Sequence, residues 1–200
     1  MRYVFSFLLL LPLAAASQQP LVIGAVVSET GVHANLAADY RKALLLWEDE
    51  VNAAGGLLGR KVELRLRDDG SEAVKAGALY RQLIEEKADA LIGPYGSAAT
   101  LMAAGEAEGG RRVLINGAGW SQEVHKRGPR FVFQSATPYR AYGEAIVQFA
   151  QQAGSHTPFI LTRDIPGARE MATAAAAAAL KAGLTAGEVL AYSGGDVMFR

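Results

Sequence analysis

The side chains best suited to proton transfer near neutral pH are His33, His125 and His156, and they lie far apart in this chain. None pairs with another at a metal-ligand spacing. No Gly-x-Ser-x-Gly elbow or phosphate-binding loop is present, and Gly117-Ala118-Gly119 lacks the third glycine of a dinucleotide fingerprint. The residues that remain suit capture without chemistry. In Gly93-Pro94-Tyr95-Gly96-Ser97-Ala98-Ala99-Thr100, Ser97 stands at the head of a helix. It can cap the free N–H groups there, and the same helix end can hold a carboxylate. Gly96 lets the backbone approach a ligand closely. Spacing alone leaves a capped helix without a ligand open, and a capping serine is common. In Asn116-Gly117-Ala118-Gly119-Trp120-Ser121, Trp120 offers an N–H donor and a flat face for a cation or an aromatic ligand. It could equally close its loop by packing. Asp164 and Arg169 could touch a polar ligand or be solvated. His125 lies in a basic loop with Lys126, Arg127 and Arg130 that reads as solvated.

The elements that must position these residues alternate. Leu21 to Val27 is an apolar run, as expected of a strand buried on both faces. From about Asn35 to Ala53, the residues Leu36, Tyr40, Leu44, Trp47 and Val51 recur every three or four positions and predict a helix with one apolar stripe. A glycine pair, Gly55-Gly56, stops it. Further strands are predicted at Lys61–Arg67, Ala88–Ile92, Val113–Ile115, Phe131–Gln134, Phe159–Thr162 and Val189–Tyr192. Helices are predicted at Glu72–Lys87, Ser97–Glu108, Glu144–Gln152 and Ala168–Ala182. The alanine run Ala174–Ala179 reads as an ordinary helix with a slim packing face. Such β-α repeats predict an α/β fold with a parallel sheet and helices on both faces. Ligands in such sheets bind beyond the carboxyl ends of the strands, where strand order reverses. That points to the loops after Val27, Ile92 and Ile115.

Half of the residues are hydrophobic, and 20 basic side chains balance 20 acidic ones. That balance gives no electrostatic footprint for nucleic acid. The 22 glycines and seven prolines punctuate apolar segments and do not gather in a linker. Residues 1–17 read as a signal peptide: Arg2, an apolar run from Val4 to Leu13, then Ala14-Ala15-Ala16. The run is about ten residues, whereas a bilayer span needs roughly 20. Stable membrane insertion is therefore not expected once the leader is removed. The chain contains no cysteine, so neither a disulfide nor a lipid-anchored cysteine is available. A soluble periplasmic protein fits these facts.

The stretch Val51-Asn-Ala-Ala-Gly-Gly-Leu-Leu-Gly-Arg-Lys-Val-Glu-Leu64 resembles the Asn-Ala-x-Gly-Gly-(Leu/Ile)-x-Gly-(Arg/Lys) segment of type I periplasmic binding proteins. Within them it is similar to the leucine/isoleucine/valine-binding branch, the receptors of ABC importers. The resemblance implies two Rossmann-like lobes, the first spanning residues 20–137 and the second starting at 138–200. It implies that the second lobe is partial and that Asp196 stands in an Asp-Phe region after that lobe's second strand. The loop at Ser97 resembles the family's Ile-Gly-x-x-x-Ser-x-x-Thr, whose serine holds a ligand carboxylate. The loop at Trp120 corresponds to Thr-Pro-Ala-Ala-Thr, where a backbone carbonyl and a threonine hydroxyl receive an ammonium group. Ala118 keeps the small position, whereas Trp120 replaces the threonine and cannot accept from a cation. Thr30-Gly31 matches the family's Ser-Gly, and Leu36 stands where tyrosine is frequent. Pro166-Gly167 stands nearest to an aromatic lid that relatives carry on the second lobe.

The resemblance thus implies a site of Tyr95, Gly96, Ser97, Ala118, Gly119 and Trp120, with Thr30, Leu36 and Asp164 as further candidates. It implies no enzyme activity, cofactor or metal. The expected partners are a small amino-acid-like, amide or organic-acid ligand and the membrane permease of an importer. A sensor of the same fold and an exported α/β enzyme are the alternatives. The exported protein is expected to begin near Ala16 or Ser17. N-terminal sequencing of periplasmic material checks this, and a mature species that still carries Phe5 to Leu11 would contradict it.

Overall fold

The computed structural model describes residues 19–185 and 188–193. The expected leader at residues 1–17, and Asp196, lie outside the described residues. Strand β1 (Leu21–Val27) is an interior strand of the fold. Helix α1 (Ala34–Ala53) leads to β2 (Val62–Asp68), and α2 (Ala73–Glu85) leads to β3 (Ala90–Ile92). Helix α3 (Ser97–Gly110), β4 (Leu114–Asn116), a 3-10 turn (Gln122–Val124) and β5 (Val132–Gln134) follow. These strands form one parallel sheet in the order β2-β1-β3-β4-β5. Helix α4 (Tyr139–Gln152), β6 (Ile160–Arg163), α5 (Pro166–Lys181) and β7 (Val189–Tyr192) complete the described chain, with β6 and β7 paired in parallel as a second sheet.

Side chains of β1 alternate between two cores. Val26 packs with Tyr80 and Leu83 of α2, Ala103 and Ala107 of α3, Leu91 of β3 and Leu114 of β4. Ala25 and Val27 pack with Ala37 and Leu44 of α1. Helices therefore cover both faces, and β1 has a hydrogen-bonded neighbour on each edge. Its apolar sequence follows from having no wet side. Tyr80 is fully buried and satisfied: its hydroxyl donates to the Ile92 carbonyl at 2.5 Å and accepts from the Val26 N–H at 3.2 Å. Burial pushes that hydroxyl well above the usual tyrosine range.

The alanines of α3 and α5 do the same work. Ala99, Ala103, Ala104 and Ala107 form the buried face of α3. Ala172, Ala175 and Ala179 are buried on α5. A Cβ added to Gly143 of α4 would lie 2.4 Å from the Met171 carbonyl oxygen, so α4 and α5 meet backbone to backbone. The alanine run is a packing face, as the sequence predicts.

Two helix starts differ from expectation by more than one residue. Helix α5 starts at Pro166, two residues before the expected Ala168, because proline suits the first helical position. Helix α4 starts at Tyr139, five residues before the expected Glu144. Its first N–H donates to the Trp120 carbonyl at 3.1 Å, a tertiary bond that periodicity cannot reveal. The turn that stops α1 holds as read. Gly55 and Gly56 have φ of 102° and 87°. Asn52 then clamps the start of β2, accepting from the Val62 N–H at 2.8 Å and donating to its carbonyl at 2.9 Å.

A Cβ at Gly56 would lie 1.9 Å from the Arg60 carbonyl oxygen, whereas one at Gly55 meets nothing within 4 Å. Gly55→Ala should cost about 1 kcal/mol of backbone strain, and Gly56→Ala roughly 2–4 kcal/mol because a clash adds to the strain. Thermal unfolding of both variants checks this. Equal losses would contradict it.

Candidate functional site

Strand order reverses beside β1: β2 lies on one side and β3 on the other. The loops after β1 and β3 therefore part at their carboxyl ends and leave a crevice. A cavity of about 620 Å³ occupies it. Its walls come from the loops after β1, β2, β3 and β4, the first turns of α3 and α4, and the β6–α5 junction.

The first turn of α3 forms one wall. Gly96, Ser97, Ala98 and Ala99 all line the cavity. Gly96 is the residue that caps the helix, with φ 90° and ψ 144°, a conformation open to glycine and costly for other residues. Ser97 is the first helical residue and makes no side-chain cap bond. This corrects the capping expectation for Ser97. Instead its Oγ accepts the Ser121 N–H at 3.2 Å. The N–H groups of Ser97, Ala98 and Ala99 belong to the turn that has no intrahelical partner, and they start at the cavity wall. Together with the helix dipole they favour an anion or a carbonyl oxygen there.

Rings form the next wall. His33 and Tyr95, Tyr95 and Trp120, and Trp120 and Tyr139 each have centroids 5.8 Å apart. All four residues line the cavity. Partial burial pushes the Tyr139 phenol above its usual range, so it stays a neutral donor. Gly167 of α5 lies against this phenol: a Cβ there would be 2.1 Å from Tyr139 Cε2. The ring that closes the crevice near Pro166-Gly167 is thus supplied by α4, not by α5.

The floor is polar. Ser28 and Asp69 border the cavity and are almost fully buried. Asp69 Oδ1 accepts the Ser71 N–H at 2.7 Å. Asp69 Oδ2 and Ser28 Oγ have no hydrogen-bond partner among the described residues. Buried groups of this kind favour a donor brought to them. Arg163, at the end of β6, brings a cation to the wall that the second sheet supplies.

Asp68 holds the rim in shape. It accepts from the N–H groups of Glu29, Thr30 and Gly70 at 2.9, 3.2 and 2.9 Å, and from the Thr30 hydroxyl at 2.7 Å. Ser71 stitches the same loops, donating to the Thr30 carbonyl at 2.8 Å and accepting from the His33 N–H at 3.0 Å.

Of the residues singled out in the sequence, Tyr95, Gly96, Ser97, Trp120 and Leu36 line the cavity. Ala118, Gly119, Thr30 and Asp164 are not among the lining residues. Ala118 is buried, and its carbonyl accepts the Gly96 N–H at 2.9 Å. Gly119 is locked by Asn116, which accepts its N–H at 2.8 Å and donates to its carbonyl at 2.6 Å. The Thr30 hydroxyl is committed to Asp68, and Asp164 pairs with Arg169. Sequence reasoning missed Asp69, Ser71 and Ala73 because the strand-order argument points to the loops after β1, β3 and β4 and not to the loop after β2. Asp69-Gly70 after a strand was an available turn signal. It also missed Tyr139, which the late start given to α4 left outside any element.

Burial pushes the Asp68 carboxyl up, but the four hydrogen bonds outweigh it and hold the group below the usual aspartate range. Its folded value lies under the unfolded one, about 3.9. The stabilisation is therefore present above that value and is lost as pH falls through the folded value. Asp68→Asn should lower the melting temperature at neutral pH and flatten its fall between roughly pH 5 and pH 2. An unchanged acid limb measured by circular dichroism would contradict the role given to Asp68.

A family model described as "Periplasmic binding protein" matches residues 20–196. The curated "Amino acid binding protein" of Pseudomonas aeruginosa is 29% identical over 114 residues, 56% of this chain and 30% of that protein. A crystal structure of an ABC transporter substrate-binding protein from Desulfitobacterium hafniense in complex with Leu superposes with a TM-score of 0.78 at 23% identity, covering 88% of this chain and 52% of that one. A solute-binding protein of an ABC transporter from Rhodopseudomonas palustris, in complex with 3,4-dihydroxybenzoic acid, superposes with a TM-score of 0.78 at 20% identity, covering 88% and 47%. This chain thus spans about half the length of those structures and less of the curated relative. The two structures share the fold, a parallel α/β architecture of the type I periplasmic-binding kind. The matched residues take in every described strand and helix, and on that match the chain belongs to the periplasmic binding protein family.

Proposed function

We propose that this chain is the extracytoplasmic solute-binding component of an ABC importer and takes a small, flat organic acid or amide in the crevice, without chemistry. One observation carries the reading: the uncapped first turn of α3 and a wall of four rings meet in one cavity. The helix end and Arg163 suit the oxygens of an acid. The rings suit a planar body. The unpartnered oxygens of Ser28 and Asp69 suit a hydroxyl or N–H donor. Two relatives of the same fold hold leucine and 3,4-dihydroxybenzoic acid, so the architecture accommodates both classes. Trp120 tips this chain toward the second, because its indole presents a flat face and an N–H donor, not an acceptor for an ammonium group.

On this reading residues 20–137 form one lobe and 138–200 begin a second, and the lobes close on the ligand as a hinged clamp. A membrane permease receives the loaded protein, and the periplasm is where capture takes place. Among the described residues no helix is long and apolar enough to cross a membrane.

A thermal-shift screen of the full chain against amino acids, amides and aromatic and short-chain acids tests this. A ligand at 100 times its Kd adds about 2.7 kcal/mol, which is roughly 5–10 °C for a chain of this size. Aromatic acids should give that rise and leucine should not. Micromolar leucine binding by calorimetry would overturn the ligand class. Ser97→Ala should weaken binding of an aromatic acid by roughly 1.5–3 kcal/mol if the bond is charge-assisted. Because Ser97 is not the cap, the unliganded melting temperature should fall by no more than about 4 °C. Unchanged affinity would refute the ligand role of Ser97.

A further inference from the structure

Glu170, one turn into α5, reaches across to the loop after β4. Its Oε2 accepts from the Ser121 hydroxyl at 2.7 Å, and both of its oxygens lie 3.0 Å from the Gln122 N–H. Ser121 Oγ also accepts the Glu123 N–H at 3.2 Å, which caps the 3-10 turn. The Ser121 N–H in turn donates to Ser97 Oγ. A hydroxyl has one proton and two lone pairs. With one lone pair of Ser97 engaged by a backbone N–H, its proton and its second lone pair are open to the cavity, and a carboxylate there can take only the proton. We infer that Glu170 is a positioning residue: by holding Ser121 and Gln122 it orients Ser97 as a hydrogen-bond donor, and so selects ligands that present a carboxylate oxygen at the start of α3. This rests on the reading of Ser97 as a ligand residue.

Two arms of one experiment on the full chain test it, with Glu170→Ala and Glu170→Gln. The first arm is amide hydrogen exchange at Gln122 without ligand. The second is the affinity ratio of benzoate to benzamide by calorimetry, a ratio that a general loss of structure would leave unchanged. Glu170→Ala should speed exchange at Gln122 and reduce the benzoate preference by about five- to tenfold, the worth of one well-placed hydrogen bond. Glu170→Gln keeps one acceptor oxygen and should fall between the two. It also carries the test if the alanine variant does not fold. Persisting protection of Gln122, or lost protection with an unchanged ratio, overturns the inference. If neither probe binds the unaltered chain, the ligand reading of the cavity fails and takes the selectivity role with it. Exchange at Gln122 then still upholds or overturns the Glu170 bond.

Discussion

Everything in this fold hangs on β1 having no free side. Both of its edges are paired and both of its faces are covered, so its polar backbone is satisfied by β2 and β3 and its side chains feed two separate cores. A strand in that position must send its neighbours off in opposite directions. The divergence of the β1 and β3 loops is then a geometric consequence, and the crevice comes with it. Asp68 turns that gap into a shaped rim: four donors from two loops converge on one carboxylate. The glycines at the rim serve the same closeness. A Cβ at Gly31 would lie 2.3 Å from the Gly70 carbonyl oxygen.

The crevice mixes several kinds of wall. Its lining takes in helix N–H groups, Arg163, a buried carboxylate oxygen without a partner among the described residues, and rings in tilted and edge-on contact. Each part exists for a structural reason as well. Gly96 holds the turn that leaves α3 uncapped, and Tyr139 fills space that Gly167 vacates. The site is assembled from residues that also set how the loops and the two sheets meet. The cavity wall and the junction of the two sheets therefore draw on the same contacts, and Glu170 is the clearest instance.

Most of the framework was legible from sequence because the signals were local. The apolar run of β1, the α1 stripe and the Gly55-Gly56 stop each depend on a few adjacent residues, and all stand where they were read. The site was legible in part. Tyr95, Gly96, Ser97 and Trp120 could be named from the loop wording, and they line the cavity. What failed was long-range. Ser97 was read as a cap, but its hydroxyl is bonded to Ser121, 24 residues away. Ala118 and Gly119, which the resemblance counts in the site, have backbone groups bonded to Gly96 and Asn116. Tyr139 was invisible as a ring of the site because its place depends on a bond to Trp120 and on the bare backbone of Gly167. Spacing along the chain carries no information of that kind.

The account stands on the first turn of α3 being where an acid is held. Backbone amide NMR during a titration with benzoate reads that turn directly. The resonances of Ser97, Ala98 and Ala99 should move downfield and saturate together with the Trp120 indole N–H, while those of the α4–α5 contact at Gly143 stay still. Saturable binding that leaves the Ser97 to Ala99 amides unmoved would contradict it.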